Sequence, residues 1–149
     1  MADISGGQKL EDYLNELARS LRSGAAVKVG FLENATYPDG TKVAMVAAIQ
    51  DFGAPSVGIP PRPFFRNMVA AKKDEWPRAV AQLLKANNYD ARKTLEQAGA
   101  AIAGQLRQSI IDTNDPPLSP RTIARKGSRK PLVDTGVLLN SIDYEVEDL

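Results

Sequence analysis

Ile142-Asp143-Tyr144-Glu145-Val146-Glu147, near the C-terminal end of the chain, alternates apolar and acidic side chains with a period of two. Residues two apart on a strand share a face, so the run predicts a β-strand with one apolar face and one wet, acidic face. Ala26 to Glu33 repeats the pattern, with Val27, Val29 and Phe31 on one side and Lys28 and Gly30 on the other. Two half-buried strands so far apart in sequence are expected to pair or to share a small sheet, and everything between them then has to cover it.

That intervening chain reads as helices. Before the first strand, Leu10, Tyr13, Leu14, Leu17, Ala18 and Leu21 fall on one helical stripe, and Gly24 ends the helix. Pro38-Asp39-Gly40 supplies turn chemistry for a loop over 34–40. Thr41 is expected to cap a helix on which Met45, Ala48, Ile49 and Phe52 share a face, with Gly53 as its stop. In Ile59-Pro60-Pro61-Arg62-Pro63-Phe64-Phe65-Arg66, three prolines fix φ and hold their predecessors extended, so a rigid rod should enter a helix close to Pro63. Phe65, Met68, Val69, Trp76, Val80, Leu83 and Leu84 continue a helical pattern through Pro77, where an interior proline costs ~3 kcal/mol and predicts a kink or a short break. Asp90 should cap a long helix with Leu95, Ala98, Ile102, Leu106 and Ile110 inward, whose small-residue centre, Ala98 to Gly104, invites close approach of another helix. Ser119 and Pro120 suit the start of a short helix ending near Gly127, and a helical turn is expected from Thr135 to Asn140. The sum is an α+β fold: a small antiparallel or mixed sheet packed against several helices, two of them long. It forms a single domain over 1–149, with flexible segments near 34–40, 54–62, 113–118 and 127–131.

Composition narrows the function classes. A chain of 149 residues suits one domain and can bury roughly 68–70% of its unfolded surface. Hydrophobic content of 43% and charged content of 25% are those of an ordinary globule, and a net charge of +1 names no partner. The chain has no cysteine and no histidine, which removes disulfides, thiolate nucleophiles, the commonest general base and the commonest metal ligand. Met1-Ala2-Asp3-Ile4-Ser5 lacks the start of a signal peptide, and no apolar run approaches ~20 residues, so folding in a cytoplasm and no membrane partner are expected.

No catalytic, cofactor-binding or metal-ligating set emerges. Asp134-Thr135-Gly136 lacks the glycines, lysine and base of a phosphate loop or nucleophile turn and reads as a helix start. Arg121, Arg125, Lys126, Arg129 and Lys130 place five bases within ten residues with no acid among them, and the last strand carries Glu145 and Glu147. Opposed patches of this kind steer and register association. Without interleaved aromatics, the basic run is a weak nucleic-acid signal. One of Phe64 and Phe65 should enter the core, since neighbouring helical residues diverge by about 100°. The other, with Arg62 and Arg66, has the composition of an interface anchor.

Two elements together resemble one family. Ala47-Ala48-Ile49-Gln50-Asp51-Phe52-Gly53 followed by Ile59-Pro60-Pro61-Arg62-Pro63-Phe64-Phe65-Arg66 is similar to a hallmark of the neck and tail-completion proteins of tailed bacteriophages, with Asp51 where that family more often has Glu. Leu118-Ser119-Pro120-Arg121-Thr122-Ile123-Ala124-Arg125-Lys126, then Pro131-Leu132 and Thr135-Gly136-Val137-Leu138-Leu139-Asn140-Ser141-Ile142, resembles the family's C-terminal half. The resemblance runs from about Met45 to the end. It implies a non-catalytic, cofactor-free structural protein of the virion that assembles as a ring of its own copies at the head-tail joint. The partners it implies are the connector or head-completion protein and the tail-tube or tail-terminator protein, with any DNA contact confined to the neck lumen and assembly in the host cytoplasm. The alternative class is a nucleic-acid-binding accessory of DNA packaging that uses the basic segment 121–130.

Overall fold

The two alternating runs meet: β1 (Ala25–Phe31) and β2 (Ile142–Asp148) form a two-stranded antiparallel sheet in a computed structural model that describes residues 7–22, 24–113 and 136–149. Val27 pairs with Val146, Val29 with Tyr144 and Phe31 with Ile142, all on the apolar face. Lys28 stands opposite Glu145 on the other face and reaches diagonally to Glu147 at 2.6 Å. α1 (Gly7–Arg22) precedes β1, and between the strands run α2 (Val43–Phe52), α3 (Phe64–Lys72), α4 (Trp76–Ala86), α5 (Ala91–Asp112) and the single turn α6 (Val137–Asn140). The α+β class with a small sheet packed on helices is therefore the observed one.

The spine is α5, 22 residues long, started by the Asp90 carboxylate accepting from the Lys93 N–H at 3.0 Å. Its inward face buries Thr94, Ala98, Gly99, Ala103, Leu106 and Ile110. The small-residue centre does bring a neighbour close, but that neighbour is the sheet rather than a helix. A Cβ added at Gly99 would lie 2.8 Å from both Val27 Cγ2 and Tyr144 Cδ2. Gly104, one and a half turns on, has nothing within 4 Å of such an atom. The two glycines should answer oppositely to alanine. Gly104→Ala is expected to stabilise the fold by about 0.5–1 kcal/mol through helix propensity alone. Gly99→Ala gains the same term but overpacks a strand and an aromatic ring, at about 1–3 kcal/mol, and should be a net loss. Urea midpoints of the two variants check the pair.

Pro77 resolves as a break. α3 ends at Lys72, and Pro77 sits in the first turn of α4, where its missing N–H is one that no helix satisfies internally. Trp76 ties α4 back to the spine by donating from Nε1 to Gln105 Oε1 at 2.9 Å. The core gathers Val43, Ala47, Phe64, Met68, Ala103, Leu106, Ile110, Leu138 and Ile142, with Phe31 edge-on to Phe64 at 6.2 Å between centroids.

Several expectations change. Thr41 does not cap α2; its N–H bonds to Asp39 Oδ1 in the preceding turn, the N-cap residue is Lys42, and the Val43 N–H goes to the Ala35 carbonyl. α2 also turns a different face inward. It buries Val43, Ala47 and Asp51, leaving Met45 and Phe52 more than half exposed. The reason lies in its composition: the helix is apolar nearly all round, so periodicity does not select a face and tertiary bonding does. α1 turns no face inward: of its residues whose burial is described only Leu17 is partly covered, and Leu10, Tyr13 and Leu14 are all at least half exposed. The short helix expected over 119–127 and the segments 114–118 and 127–131 lie outside the described residues.

Candidate interface at the α2–α3 joint

The feature that organises the joint is a carboxylate in an unexpected place. Asp51 lies in the last turn of α2, where the helix dipole disfavours a negative charge. Its side chain is 5% exposed, yet it is not stranded, because the start of α3 faces it. α3 begins after Pro63, which has no side chain with which to cap the helix. Asp51 does so from across the chain. Its Oδ1 accepts from the N–H groups of Phe65 at 2.9 Å and Arg66 at 3.3 Å, the second and third residues of α3. Those are the groups an N-cap side chain would satisfy. The positive end of α3 thus offsets the negative end of α2.

Arg66 completes the arrangement. Its Nε donates to Asp51 Oδ2 at 2.6 Å and its Nη2 to the Asp51 carbonyl at 2.7 Å, so the guanidinium closes over the end of α2. The same group lies 4.6 Å from the centroid of the Phe52 ring, within cation–π range. Phe52 is 64% exposed and the Arg66 side chain 50% exposed. An aromatic and a guanidinium are therefore held rigidly together at the surface.

The rod between the helices is fixed at both ends. Gly53 takes φ of 75° and sits where any Cβ would fall 2.7 Å from Pro61 N and 2.9 Å from the Ile59 carbonyl oxygen, so only glycine fits. The Arg62 N–H donates to the Gln50 carbonyl at 2.8 Å. Pro63, at φ −78° and ψ 57°, makes a tight inverse turn that directs the Phe64 N–H to the Arg62 carbonyl. Ser109 Oγ then donates to the Phe64 carbonyl at 2.6 Å, anchoring the joint to α5.

The sequence-derived interface residues separate into groups. Phe64 is fully buried and Arg62 only 6% exposed, so neither offers surface in this chain; burial also pushes the Arg62 guanidinium below its usual pKa. Phe65 is half-buried against Gly30. Arg66 alone of the four is exposed. Glu145 and Glu147 lie on the outer face of the sheet, where the hydrogen bond and charge of Glu147 hold the Lys28 ammonium above its ordinary pKa. Arg121, Arg125, Lys126, Arg129 and Lys130 lie outside the described residues. What the sequence reading passed over is Phe52 and Met45, taken as members of a shared helix face. An acid at the C-terminal end of α2 was the available signal that a second helix start faced it.

Beside Phe52 and Arg66 lies a shallow apolar cleft of about 230 Å³, lined by Phe31, Ala44, Ala47, Ala48, Phe64 and Phe65. Among the described residues, no cluster of three or more acidic side chains is placed to hold a metal ion, and no helix is long and apolar enough to cross a membrane. Fold and site together describe a small α+β domain with a rigid, exposed aromatic–guanidinium joint. Against known proteins, the chain matches no family model, no curated protein and no solved structure.

Proposed function

We propose that this chain is a non-catalytic structural subunit of a tailed-phage neck, a tail-completion or head-tail joining protein that closes into a ring with copies of itself. The observation that carries the reading is the α2–α3 joint. The two segments that carry the strongest part of the sequence resemblance, Ala47 to Gly53 and Ile59 to Arg66, converge through Asp51 into one rigid unit, and what it presents outward is Phe52 and Arg66. Aromatic and arginine side chains held in place before binding are the usual anchors of protein interfaces. A closed ring requires heterologous contacts, two different surfaces of each copy meeting.

Electron micrographs of the purified protein, with mass measurement, should reveal ring particles alone or on addition of neck partners. Arg66→Ala is expected to reduce ring formation beyond what its stability cost of about 1 kcal/mol explains, because the guanidinium is half in solvent and the buried Asp51 carboxylate keeps the N–H groups of residues 65 and 66 as partners. Strongly salt-dependent DNA binding by a monomer would instead favour the packaging-accessory reading. Turnover of nucleic acid or ATP that a single carboxylate substitution abolishes would sink the structural one.

A further inference from the structure

The sheet has only two strands, so each strand keeps one edge that the other does not cover. Which backbone groups lie on those edges follows from one bond. The Leu149 N–H donates to the Gly24 carbonyl at 2.7 Å, so the residues that exchange bonds are Gly24 with Leu149, Ala26 with Glu147, Lys28 with Glu145 and Gly30 with Asp143. The residues between them turn their N–H and C=O groups outward. On β2 that edge is already guarded: the Ile142 carbonyl accepts from Arg107 Nη2 at 2.8 Å, the Tyr144 N–H donates to Asp143 Oδ1 at 2.8 Å, and Arg92 Nη1 reaches the Asp148 carboxylate at 3.3 Å. On β1 the outward groups of Ala25, Val27 and Val29 have no hydrogen-bond partner among the described residues. α5 packs on the apolar face, with Gly99 against Val27 and Tyr144, and α2 meets β1 at Phe31. The Ala25 to Val29 part of the β1 edge is therefore open.

We propose that β1 pairs antiparallel with β1 of a second copy of this chain, Val27 opposite Val27, to make a four-stranded sheet across a two-fold axis. Charge selects this occupant. On the outer face β2 carries Asp143, Glu145 and Glu147, whereas β1 carries Lys28 between Ala26 and Gly30. A second β2 on the open edge would add three acids to a face that already has three; a second β1 brings a base and no acid. The register follows from the same chemistry. Bonds across the new pair run between outward residues, so Val27 faces Val27, Val29 faces Val29, or Val27 faces Val29. The last of these sets Lys28 against Lys28, and like charges directly opposed are destabilising. The second needs the far end of β1, where the Phe65 ring lies 3.6 Å from the position of a Cβ on Gly30 and Phe31 lines the α2 cleft. Val27 on Val27 uses the open half. It places each Lys28 beside the other copy's Ala26, whose neighbour on β2 is Glu147, about 10 Å between backbones and within the joint span of a lysine and a glutamate side chain. Both Val27 side chains stay on the apolar face that α5 covers. The contact goes beyond the neck reading and does not depend on it, since a two-fold pair added to a head-to-tail ring gives two rings back to back.

Sedimentation of the purified chain over a concentration series should show dimers, and Ala25→Pro should shift them to monomer with circular dichroism unchanged. Proline there removes an outward N–H at the first residue of the strand and leaves the bonds to β2 in place. Amide exchange read by NMR separates this contact from any other dimer. With rising concentration the Val27 and Val29 N–H groups should lose their fast exchange, while those of Ala26 and Lys28, bonded to β2, stay protected throughout. The chain has no native cysteine, so Ala26→Cys and Lys28→Cys can be mixed and mildly oxidised. The 26–28 disulfide should exceed the 26–26 and 28–28 products, because directly opposed residues of a non-hydrogen-bonded pair lie within disulfide reach. A dimer whose Val27 and Val29 amides still exchange fast, a dimer that Ala25→Pro leaves intact, or a dominant 28–28 bond overturns the proposal. So does a chain that stays monomeric at every concentration, even where a neck partner protects the β1 edge, since the strand that fills it is then a foreign one.

Discussion

Phe64→Ala should be the most damaging single truncation at the joint. The ring is fully buried, packs edge-on against Phe31, and belongs to the core cluster that joins α2, α3, α5, α6 and β2. Removing a buried phenylalanine forfeits its transfer free energy and leaves a cavity that the surroundings fill only in part, at about 3–5 kcal/mol. A domain of this size has about 5–15 kcal/mol in total, so the melting temperature should fall by about 6–20 °C. Thermal unfolding followed by circular dichroism reads this directly. A drop of only a degree or two, with ring formation lost, would mean that Phe64 serves a neighbour rather than its own core.

Asp51→Ala is expected to cost about 2–3 kcal/mol, and for a different reason. The carboxylate satisfies two N–H groups at the start of α3 and one from Arg66 Nε. Loss of an N-cap interaction costs about 0.5–2 kcal/mol, and a hydrogen bond to a charged group contributes about 1.5–3 kcal/mol. The second figure is discounted because the half-exposed Arg66 side chain can turn to water once its partner is gone. Asp51→Asn separates the two roles. It keeps an oxygen for the Phe65 and Arg66 N–H groups and loses the ion pair, so it should cost about 1 kcal/mol or less. Denaturant midpoints of both variants check the partition; equal losses would assign the stability to the charge and not to the cap. In either variant Arg66 loses the carboxylate and keeps its bond to the backbone carbonyl of residue 51, so the Phe52–Arg66 surface is held less firmly and assembly should weaken beyond what the stability change explains.

Legibility differed by the kind of signal each residue carries. The strands were readable because alternation has only one structural interpretation: Val27, Val29 and Phe31 face Val146, Tyr144 and Ile142 in the register that puts all six on the apolar side. The start of α3 was readable because Pro63 fixes its own backbone, and the start of α5 because Asp90 bonds an amide three residues away. These are local constraints. α2 was readable as a helix ended by Gly53, but not as to which side it buries, since Val43-Ala44-Met45-Val46-Ala47-Ala48-Ile49 offers apolar residues in every direction.

The sequence by itself indicated where the described helices and strands lie, most of their ends, and that the two strands pair or share a small sheet, because capping, proline geometry and a period of two act within a few residues. Only the tertiary structure decided that Asp51 caps α3 from another helix, that Gly99 admits the sheet and not a helix, and that α2 leaves Met45 and Phe52 exposed while the stripe of α1 stays uncovered. Each of those outcomes depends on groups 14 or more residues apart meeting in space, or on the final competition among apolar faces for one core. An apolar stripe states that a face prefers to be covered; what covers it is set by the three-dimensional arrangement of everything else.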